Sequence, residues 1–401
     1  MFAVAWGGNE FTPLLVMYRE VSHFSTVTVD VLLGAYVVGI IPALLAGGPL
    51  SDRYGRRPLM LPAAPLSLLG SLILALGPDS PALLALGRVF CGAALGLVMA
   101  VGTTWIKELS VLEGRPDAGP GRASMSLTVG FLVGAGLAGA LAQWGPWPTA
   151  STYVLHIALT LVTGVWLLGV PETRAVEPVG SRPRLRDDLR VPPIGHRRFL
   201  RVVVPLAPWV FGSVGSAYAV LPGLMREHAA GMPIAVSALV TALTLACGVG
   251  AQILGRVIDT RHSARASVIA MAFLATGMGL AALATTVLSL ALVLAAACVL
   301  GVGYGLALVA GLSEVQRIAG PDDLAGLTAV YYAIAYTGFF IPAVLAVLSA
   351  QVSYPTLFTG GVAVAICCLL VVACAWRSHL PAGARPASTS SDRMSTQRAV
   401  L

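Results

Sequence analysis

Long apolar stretches separated by short polar connections constrain the fold of this chain more than any other feature. A helix that crosses a bilayer needs about 20 mostly apolar residues. Only 11% of the 401 residues are charged, against about 25% in a soluble domain. The sequence therefore predicts an all-α integral membrane protein with twelve transmembrane helices. The predicted spans are residues 1–18, 31–50, 59–77, 83–106, 122–142, 151–170, 201–224, 234–255, 266–286, 288–311, 325–348 and 355–376.

The basic residues are distributed unequally between the two sides of this predicted arrangement. If the chain starts in the cytoplasm, all Lys and Arg residues except Arg19, Arg88 and Arg226 lie in cytoplasmic connections or in the C-terminal tail. Cytoplasmic loops are enriched in Lys and Arg, so both termini are predicted to be cytoplasmic. The basic residues form no patch on one soluble domain, and no nucleic-acid partner is indicated. Arginine, alanine and glycine are abundant while Lys107 is the only lysine, which favours a bacterial inner-membrane protein.

The longest connection, residues 171–200, is basic and proline-rich and lies midway along the chain. We interpret it as a cytoplasmic linker between two six-helix bundles, residues 1–170 and 201–376. Charge at the membrane surface would explain its arginines equally well. The Ser/Arg/Pro-rich tail, residues 377–401, is predicted to be disordered. We expect the protein to act as a monomer in the bilayer.

Two loops and two helix ends repeat at nearly one spacing. Gly48 and Asp52 follow the second span, and Gly255 and Asp259 follow the eighth, 207 residues later. The acids that close the fourth and tenth spans, Glu108 and Glu314, are 206 residues apart. Such self-similarity indicates two parallel, pseudo-symmetric six-helix repeats.

The loop after the second span carries a conspicuous motif, formed by Gly48, Leu50, Asp52, Arg53, Gly55, Arg56 and Arg57. This motif resembles the cytoplasmic signature of the major facilitator superfamily. Arg88, Gly92 and Gly96 in the fourth span resemble another family element, and the segment 171–174, Pro-Glu-Thr-Arg, resembles a third. The resemblance implies the major facilitator fold and secondary active transport, and is greatest to bacterial 12-helix drug/proton antiporters.

The motif side chains are predicted to form a gate at the cytoplasmic ends of the helices. Asp52 can face the positive N-terminus of another helix, which the resemblance implies is the eleventh. Gly48 would allow a neighbouring helix to approach closely. These contacts would close the cytoplasmic side in one state and break in the other. The alternative is that the arginines only set topology. Predicted pairs are Arg53, Arg56 or Arg57 with Glu108, and Arg256 or Arg261 with Glu314.

Glu10 lies near the middle of the first predicted span, beside Asn9, Thr12 and Pro13. An acid at this depth is costly unless it is neutral, paired or facing water, so it is a candidate proton carrier. It could instead be a structural acid paired with Arg88. By resemblance Arg88 takes part in proton coupling, although a static role against Glu10 or backbone carbonyls is equally possible.

Two features near these residues are interpreted as structural. His156 is predicted to lie near the outer surface. The fifth span carries four glycines, which resembles the glycine-rich element of drug/proton antiporters but lacks its Gly-Pro pair. That departure puts antiport in doubt, and close helix packing alone explains the glycines. They are Gly130, Gly134, Gly136 and Gly139.

The ionisable and metal-binding residues indicate no cofactor and no metal site. Six cysteines lie inside apolar stretches, without a histidine at metal-ligand spacing, and are predicted to be small core residues. An aromatic, weakly charged cavity would suit an amphipathic solute. Its candidate lining residues, each of which could instead serve packing, are Trp6, Asn9, Tyr36, Trp209, Tyr218, Tyr332 and Tyr336.

The sequence thus predicts proton-coupled export of small amphipathic compounds by alternating access. Proton-coupled uptake of a nutrient is the leading alternative. A membrane-embedded enzyme is remote because no nucleotide loop or nucleophile motif is present. A sensor that does not transport is a third class.

Overall fold

The computed structural model describes residues 1–115, 118–174, 191–320, 323–378 and 380. The predicted all-helical fold with twelve spans is confirmed, with boundaries shifted by up to seven residues, the largest shift being at the end of the tenth span, Ile318 against 311. Eleven helices in the described residues are long and apolar enough to cross a membrane, and α1 is the exception because it is interrupted. The helices are α1 (Phe2–Asn9 and Leu14–Glu20), α2 (Thr26–Tyr54), α3 (Arg56–Leu76), α4 (Pro81–Leu112), α5 (Ala118–Trp144), α6 (Ser151–Leu168), α7 (Phe199–Leu224), α8 (Pro233–Ile258), α9 (Arg265–Val287), α10 (Leu290–Ile318), α11 (Leu324–Leu348) and α12 (Tyr354–Cys374).

The first span is not the continuous helix that its hydropathy predicts. Its first segment ends at Asn9 and its second begins at Leu14, after Pro13. Proline has no backbone N–H and disfavours a helical residue before it, so the helix is interrupted here. The Thr12 hydroxyl donates to Asn9 Oδ1 at 2.7 Å and the Asn9 amide donates to the Phe131 carbonyl at 3.1 Å. The break is therefore held by side-chain bonds, one of which reaches α5.

Glycines allow α2 and α4 to approach closely, and the same contact recurs between α8 and α10. A Cβ atom added at Gly39 would lie 2.0 Å from the Val89 carbonyl oxygen, and one at Gly305 would lie 2.0 Å from that of Gly248. These backbones approach until no side chain fits between them. The recurrence matches the repeat predicted from the motif loops. Gly48 does not serve this purpose, because no atom lies within 4 Å of its Cβ position.

Helices α1–α6 form one half of the fold and α7–α12 form the other. The halves meet where α2 packs on α11 and α5 packs on α8. We call the end of the molecule that carries Asp52 and Arg56 the motif side, and the opposite end, with Glu20 and Arg226, the far side. Residues 175–190 of the predicted linker, and residue 379 with residues 381–401 of the predicted tail, lie outside the described residues.

Burial of the cysteines corrects one prediction. Cys91 is buried in the first half, but Cys367 and Cys374 are exposed on the outer surface of α12. In a membrane protein an exposed apolar face meets lipid, which tolerates a thiol as readily as the core does. Hydropathy alone cannot distinguish the two environments.

Candidate functional site

A small cavity lies between the two halves near the middle of the helices. Its lining includes Arg88 and four of the predicted residues, Asn9, Tyr36, Tyr218 and Tyr336. Trp6, Trp209 and Tyr332 are not among the lining residues of this cavity, and a role for them in substrate binding stays a prediction. The remaining lining residues are Gly8, Thr12, Leu33, Leu95, Phe131, Phe211, Val214, Leu245, Tyr304 and Phe339.

Three rings on α7 and α11 form an aromatic wall on one side of this cavity. The Phe211 ring stacks on Tyr336 with centroids 4.2 Å apart and on Phe339 with centroids 5.0 Å apart. The sequence prediction named Trp209 instead of Phe211. Two residues along a helix differ by about 200° in direction, so only one of the pair can face the cavity.

Arg88 lies between the cavity and the break in α1. Its guanidinium carbon is 4.3 Å from the centre of the Tyr36 ring and 4.7 Å from that of Phe11. One terminal nitrogen donates to the Gly8 carbonyl at 3.3 Å. The Arg88 Nε and the Tyr36 hydroxyl are both buried and have no hydrogen-bond partner. Two donors at the cavity wall are thus available to a bound solute.

Glu10 lies at the break in α1 and is fully buried. The Ser71 hydroxyl can donate to Glu10 Oε1 at 3.2 Å, and the Thr152 hydroxyl can donate to Oε2 at 3.4 Å. His156 Nδ1 is 3.7 Å from Oε1. Arg88 is not among these hydrogen-bond partners, but it lies close enough to act electrostatically on the carboxyl group, and its pairing with Glu10 stays a prediction. The acid is outside the cavity lining and is bound by α3 and α6.

His156 is buried and does not lie at the surface, which corrects its predicted position. Its Nδ1 is 2.7 Å from the Ser71 hydroxyl and its Nε2 is 2.9 Å from the Ala3 carbonyl oxygen. Because a carbonyl oxygen only accepts, Nε2 carries a proton and Nδ1 of the neutral ring is an acceptor. Ser71 has one hydroxyl proton, so it donates either to this Nδ1 or to Glu10 Oε1. Spacing could have revealed this site, since Thr152, His156 and Thr160 are four residues apart on one helical face.

The motif loop is held by carboxylates of its own half. Arg56 donates to Glu108 at 3.0 Å, as predicted, and its second terminal nitrogen is 2.7 Å from Asp52. Asp52 also pairs with Arg174 at 3.5 Å. Arg56 lies in the first half and Arg174 lies directly after α6, so these ion pairs do not reach the second half. The contact of Asp52 with α11 that the resemblance implies stays a prediction. The ion pairs tie together the ends of α2, α3, α4 and α6.

Glu172 caps the start of α3 in the same loop. Gly55 has a φ of 101°, which favours glycine, and α3 begins directly after it. The Glu172 carboxylate accepts from the backbone N–H groups of Arg56 at 3.0 Å and Arg57 at 2.8 Å. Partial burial acts to raise the pKa of Glu172, but these bonds and two from its own loop outweigh burial and lower the pKa. A carboxylate at a helix N-terminus is favoured by the helix dipole.

The second half repeats this arrangement with different arginines. Arg317 binds Asp259 and also donates to Glu314 at 2.6 Å, so one arginine joins the two acids as Arg56 joins Asp52 and Glu108. Arg198 donates to Glu314 at 2.8 Å. The predicted partners Arg256 and Arg261 are therefore wrong for Glu314. The repeat spacing identified the two acids, Asp259 and Glu314. Their arginine partners lie at helix ends that this spacing did not indicate.

Contacts between the halves close the far side. A Cβ atom added at Gly139 would lie 2.2 Å from the Ala238 Cβ. One helical turn further along α5, the side-chain oxygen of Gln143 accepts from the backbone N–H of Ala235 at 3.0 Å. Arg226 and Glu20 form an ion pair at 3.4 Å across the same ends. These contacts hold α5 against α8, and the end of α1 against the segment after α7, at the far side.

We expect Gly139→Leu to hold the far side open, because its side chain would occupy the space of Ala238. The transport rate should fall at least about tenfold while protein abundance is retained, as expected for a wedge between elements that must close. Gly136→Leu is the matched control, since no atom lies within 4 Å of that Cβ position. Thiol labelling of Leu33→Cys from the far side, in a cysteine-free background, should rise for Gly139→Leu only. Equal labelling and transport for both variants would contradict this closure.

Comparison with known proteins decides the family. A model described as the Major Facilitator Superfamily matches residues 1–225. The chain belongs to the major facilitator superfamily. It is therefore a membrane transporter and not an enzyme.

Two curated relatives extend over most of this major facilitator protein. Multidrug resistance protein 2 of Bacillus subtilis is 24% identical over 374 residues, which cover 90% of each chain. A chloramphenicol resistance protein of Pseudomonas aeruginosa is 26% identical over 340 residues, or 82% of this chain and 77% of the relative. A glucose transporter of Staphylococcus epidermidis, GlcP, is 32% identical over 119 residues, or 30% of this chain and 26% of the relative.

Solved structures agree on the fold. A POT family transporter in complex with 5-aminolevulinic acid has a TM-score of 0.74 at 15% identity and covers 93% of this chain and 94% of that one. A D-xylose-proton symporter has a TM-score of 0.70 at 14% identity, and the match covers 95% of this chain and 96% of the symporter chain. At these identities the likeness shows the fold alone.

Proposed function

We propose that this transporter exports small amphipathic compounds from bacteria in exchange for protons. The observation that carries the proposal is a buried acid, Glu10, at a helix break directly behind an aromatic cavity. Both relatives that cover most of the chain are named for drug resistance, which favours export. The motif side faces the cytoplasm in this proposal, in agreement with the arginines of its loops.

Glu10 is the proposed proton carrier and Arg88 is its link to the cavity. A buried carboxyl group is stable when neutral, and it can lose its proton only where charge is compensated or water enters. The Ser71 hydroxyl contacts both Glu10 and His156 Nδ1. A proton on Glu10 can therefore pass through this hydroxyl to the imidazole and back. The Arg88 guanidinium packs on Phe11, the residue that follows Glu10 in the sequence. The charge on Glu10 therefore acts electrostatically on Arg88.

Alternating access in this proposal is rocking of one half against the other. The ion pairs around Arg56 and Arg317 each lie within one half, so they keep the helix ends of that half together during the motion. Contacts such as Gly139 with Ala238 and Glu20 with Arg226 lie between the halves and must break when the far side opens. The motif acts as a brace in each half, and the far-side contacts act as the gate.

Uptake of a polar nutrient is the second candidate, because a probable inositol transporter and a glucose transporter each match about one third of the chain. The cavity supports it less well. A sugar needs many hydrogen-bonding partners, whereas Phe131, Phe211, Tyr304, Tyr336 and Phe339 make this wall largely aromatic.

Accumulation of a neutral aromatic antibiotic in energised cells tests the direction of transport. Expression should lower the steady-state level of chloramphenicol, and a protonophore should restore it to that of cells without the protein. Cells that express Glu10→Gln at equal abundance should behave like the empty control. Raised accumulation on expression would favour uptake, and unchanged accumulation across a broad panel of compounds would reject export.

A further inference from the structure

We infer that the cavity binds the hydrogen-bond acceptor of a neutral or anionic amphipathic solute through Arg88 and Tyr36, and that it rejects permanent cations. The inference rests on the proposed function only in assigning the substrate to this cavity. It adds the charge class of the substrate and the two groups that select it.

Two buried donors in the cavity lining have no partner. The Arg88 side chain is 1% exposed and that of Tyr36 is 3% exposed. Arg88 Nε and the Tyr36 hydroxyl make no hydrogen bond, although a terminal nitrogen of Arg88 does. A buried donor without an acceptor is costly, so sites of this kind are completed by water or by a ligand. A carbonyl, carboxylate or nitro oxygen supplies the acceptor that both groups lack.

The charge of the lining opposes cations. Among the described residues that line the cavity, Arg88 is the charged one and no Asp or Glu is present. At about 6 Å and an effective dielectric constant of about 20, repulsion between two positive charges weakens binding roughly 100-fold. Glu10 lies outside the lining, so it places no negative charge at the cavity wall. Neutral Glu10 leaves the repulsion at full strength, and ionised Glu10 weakens it.

Aromatic faces attract cations, which could in principle offset that repulsion. The faces of Tyr36 and Phe11, however, are already covered by the Arg88 guanidinium. In the wall opposite, the rings of Phe211, Tyr336 and Phe339 stack on one another. Stacked rings offer a flat apolar surface to a solute more readily than an open cage for an ammonium group.

The two kinds of group come from different halves of the protein. Arg88 and Tyr36 belong to α4 and α2, whereas Phe211, Tyr336 and Phe339 belong to α7 and α11. A solute with an acceptor at one end and an aromatic body at the other therefore contacts both halves at once. Such a solute has a higher affinity for the conformation in which the two halves are close together than for the open conformations. This difference in affinity is required if binding is to drive the conformational change.

Equilibrium binding to the purified full-length protein in detergent tests the charge class. The probes are three compounds with one aromatic body that carry an amide, a carboxylate or a trimethylammonium group, measured by calorimetry. We expect the amide and the carboxylate to bind at least about 30-fold more tightly than the trimethylammonium compound. Equal or tighter binding of the cation, or binding of none of the three, would overturn the inference.

Two variants assign the effect to the named donors. Arg88→Gln should weaken binding of the carboxylate compound about 10- to 100-fold, as expected for loss of a charged hydrogen bond. The difference in affinity between the carboxylate and the trimethylammonium compounds should therefore become smaller. Tyr36→Phe should weaken binding of the amide and the carboxylate compounds several-fold. Because this change removes only one oxygen atom, the variant remains informative if Arg88→Gln fails to fold. Unchanged affinities in Tyr36→Phe would exclude that residue from the site. Binding needs no proton gradient, so an error in the direction of transport would leave this result intact.

Discussion

Glu10→Gln is expected to abolish transport driven by a proton gradient and to leave binding and protein abundance near those of the unaltered protein. Glutamine keeps the shape of the side chain. The Ser71 and Thr152 hydroxyls lie 3.2 and 3.4 Å from the two Glu10 oxygens, so the amide oxygen of glutamine can accept from one hydroxyl and its NH2 group can donate to the other. It cannot bind or release the proton, so exchange of substrate with substrate should continue while accumulation against a gradient stops. Reconstituted vesicles measure both fluxes in one preparation.

Glu113→Gln is the matched control for this change. Glu113 is exposed after the end of α4 and pairs with Arg122 at 2.6 Å, far from the cavity lining. The same chemical substitution there should leave gradient-driven flux unchanged. If Glu10→Gln retained coupled flux, the proton carrier would have to be another group, and the proposed role of Glu10 would be wrong.

Glu314→Ala is expected to lower the free energy of unfolding by about 3–5 kcal/mol. Removal of one partner from a buried ion pair leaves the other charge uncompensated, which is costly in this range. Arg198 is fully buried, and Glu314 is 1% exposed. Arg198 also donates to the Ser378 carbonyl at 2.9 Å, so loss of its anchor should loosen the packing of α7 on the end of α12. Thermal unfolding in detergent would record a lower midpoint.

The double variant Arg198→Met/Glu314→Leu separates charge from packing. It removes both charges and fills a similar volume, so most of the lost stability should return. Glu113→Ala, in an exposed pair, should leave the midpoint unchanged. A double variant as unstable as Glu314→Ala would show that the stability arises from shape and not from pairing of the charges.

The fold was predictable because hydropathy and loop charge report directly on the membrane. The predicted spans 201–224 and 266–286, for example, match α7 (Phe199–Leu224) and α9 (Arg265–Val287) to within two residues at each end. The interruption of α1 was missed. It depends on Pro13 together with the bonds of Thr12 and Asn9, and an average over hydropathy does not register those bonds.

The candidate site was predictable only where a residue is unusual by itself. An acid and an arginine inside apolar stretches are rare, and so Glu10 and Arg88 were identified from the sequence. His156 and Ser71 are polar residues whose meaning depends on which helix lies opposite. The pairing of Glu314 with Arg198 joins residues 116 positions apart. Such contacts follow from the packing of helices, and a single sequence carries no record of that packing.

Flux in reconstituted vesicles under pH gradients of opposite sign tests the central claim most directly. With a neutral aromatic antibiotic present at equal concentration on both sides, the account predicts net movement toward the acidic compartment for either sign of the gradient. A protonophore or Glu10→Gln should reduce this movement to zero. Movement toward the alkaline compartment would show symport, and movement independent of the gradient would contradict proton coupling altogether.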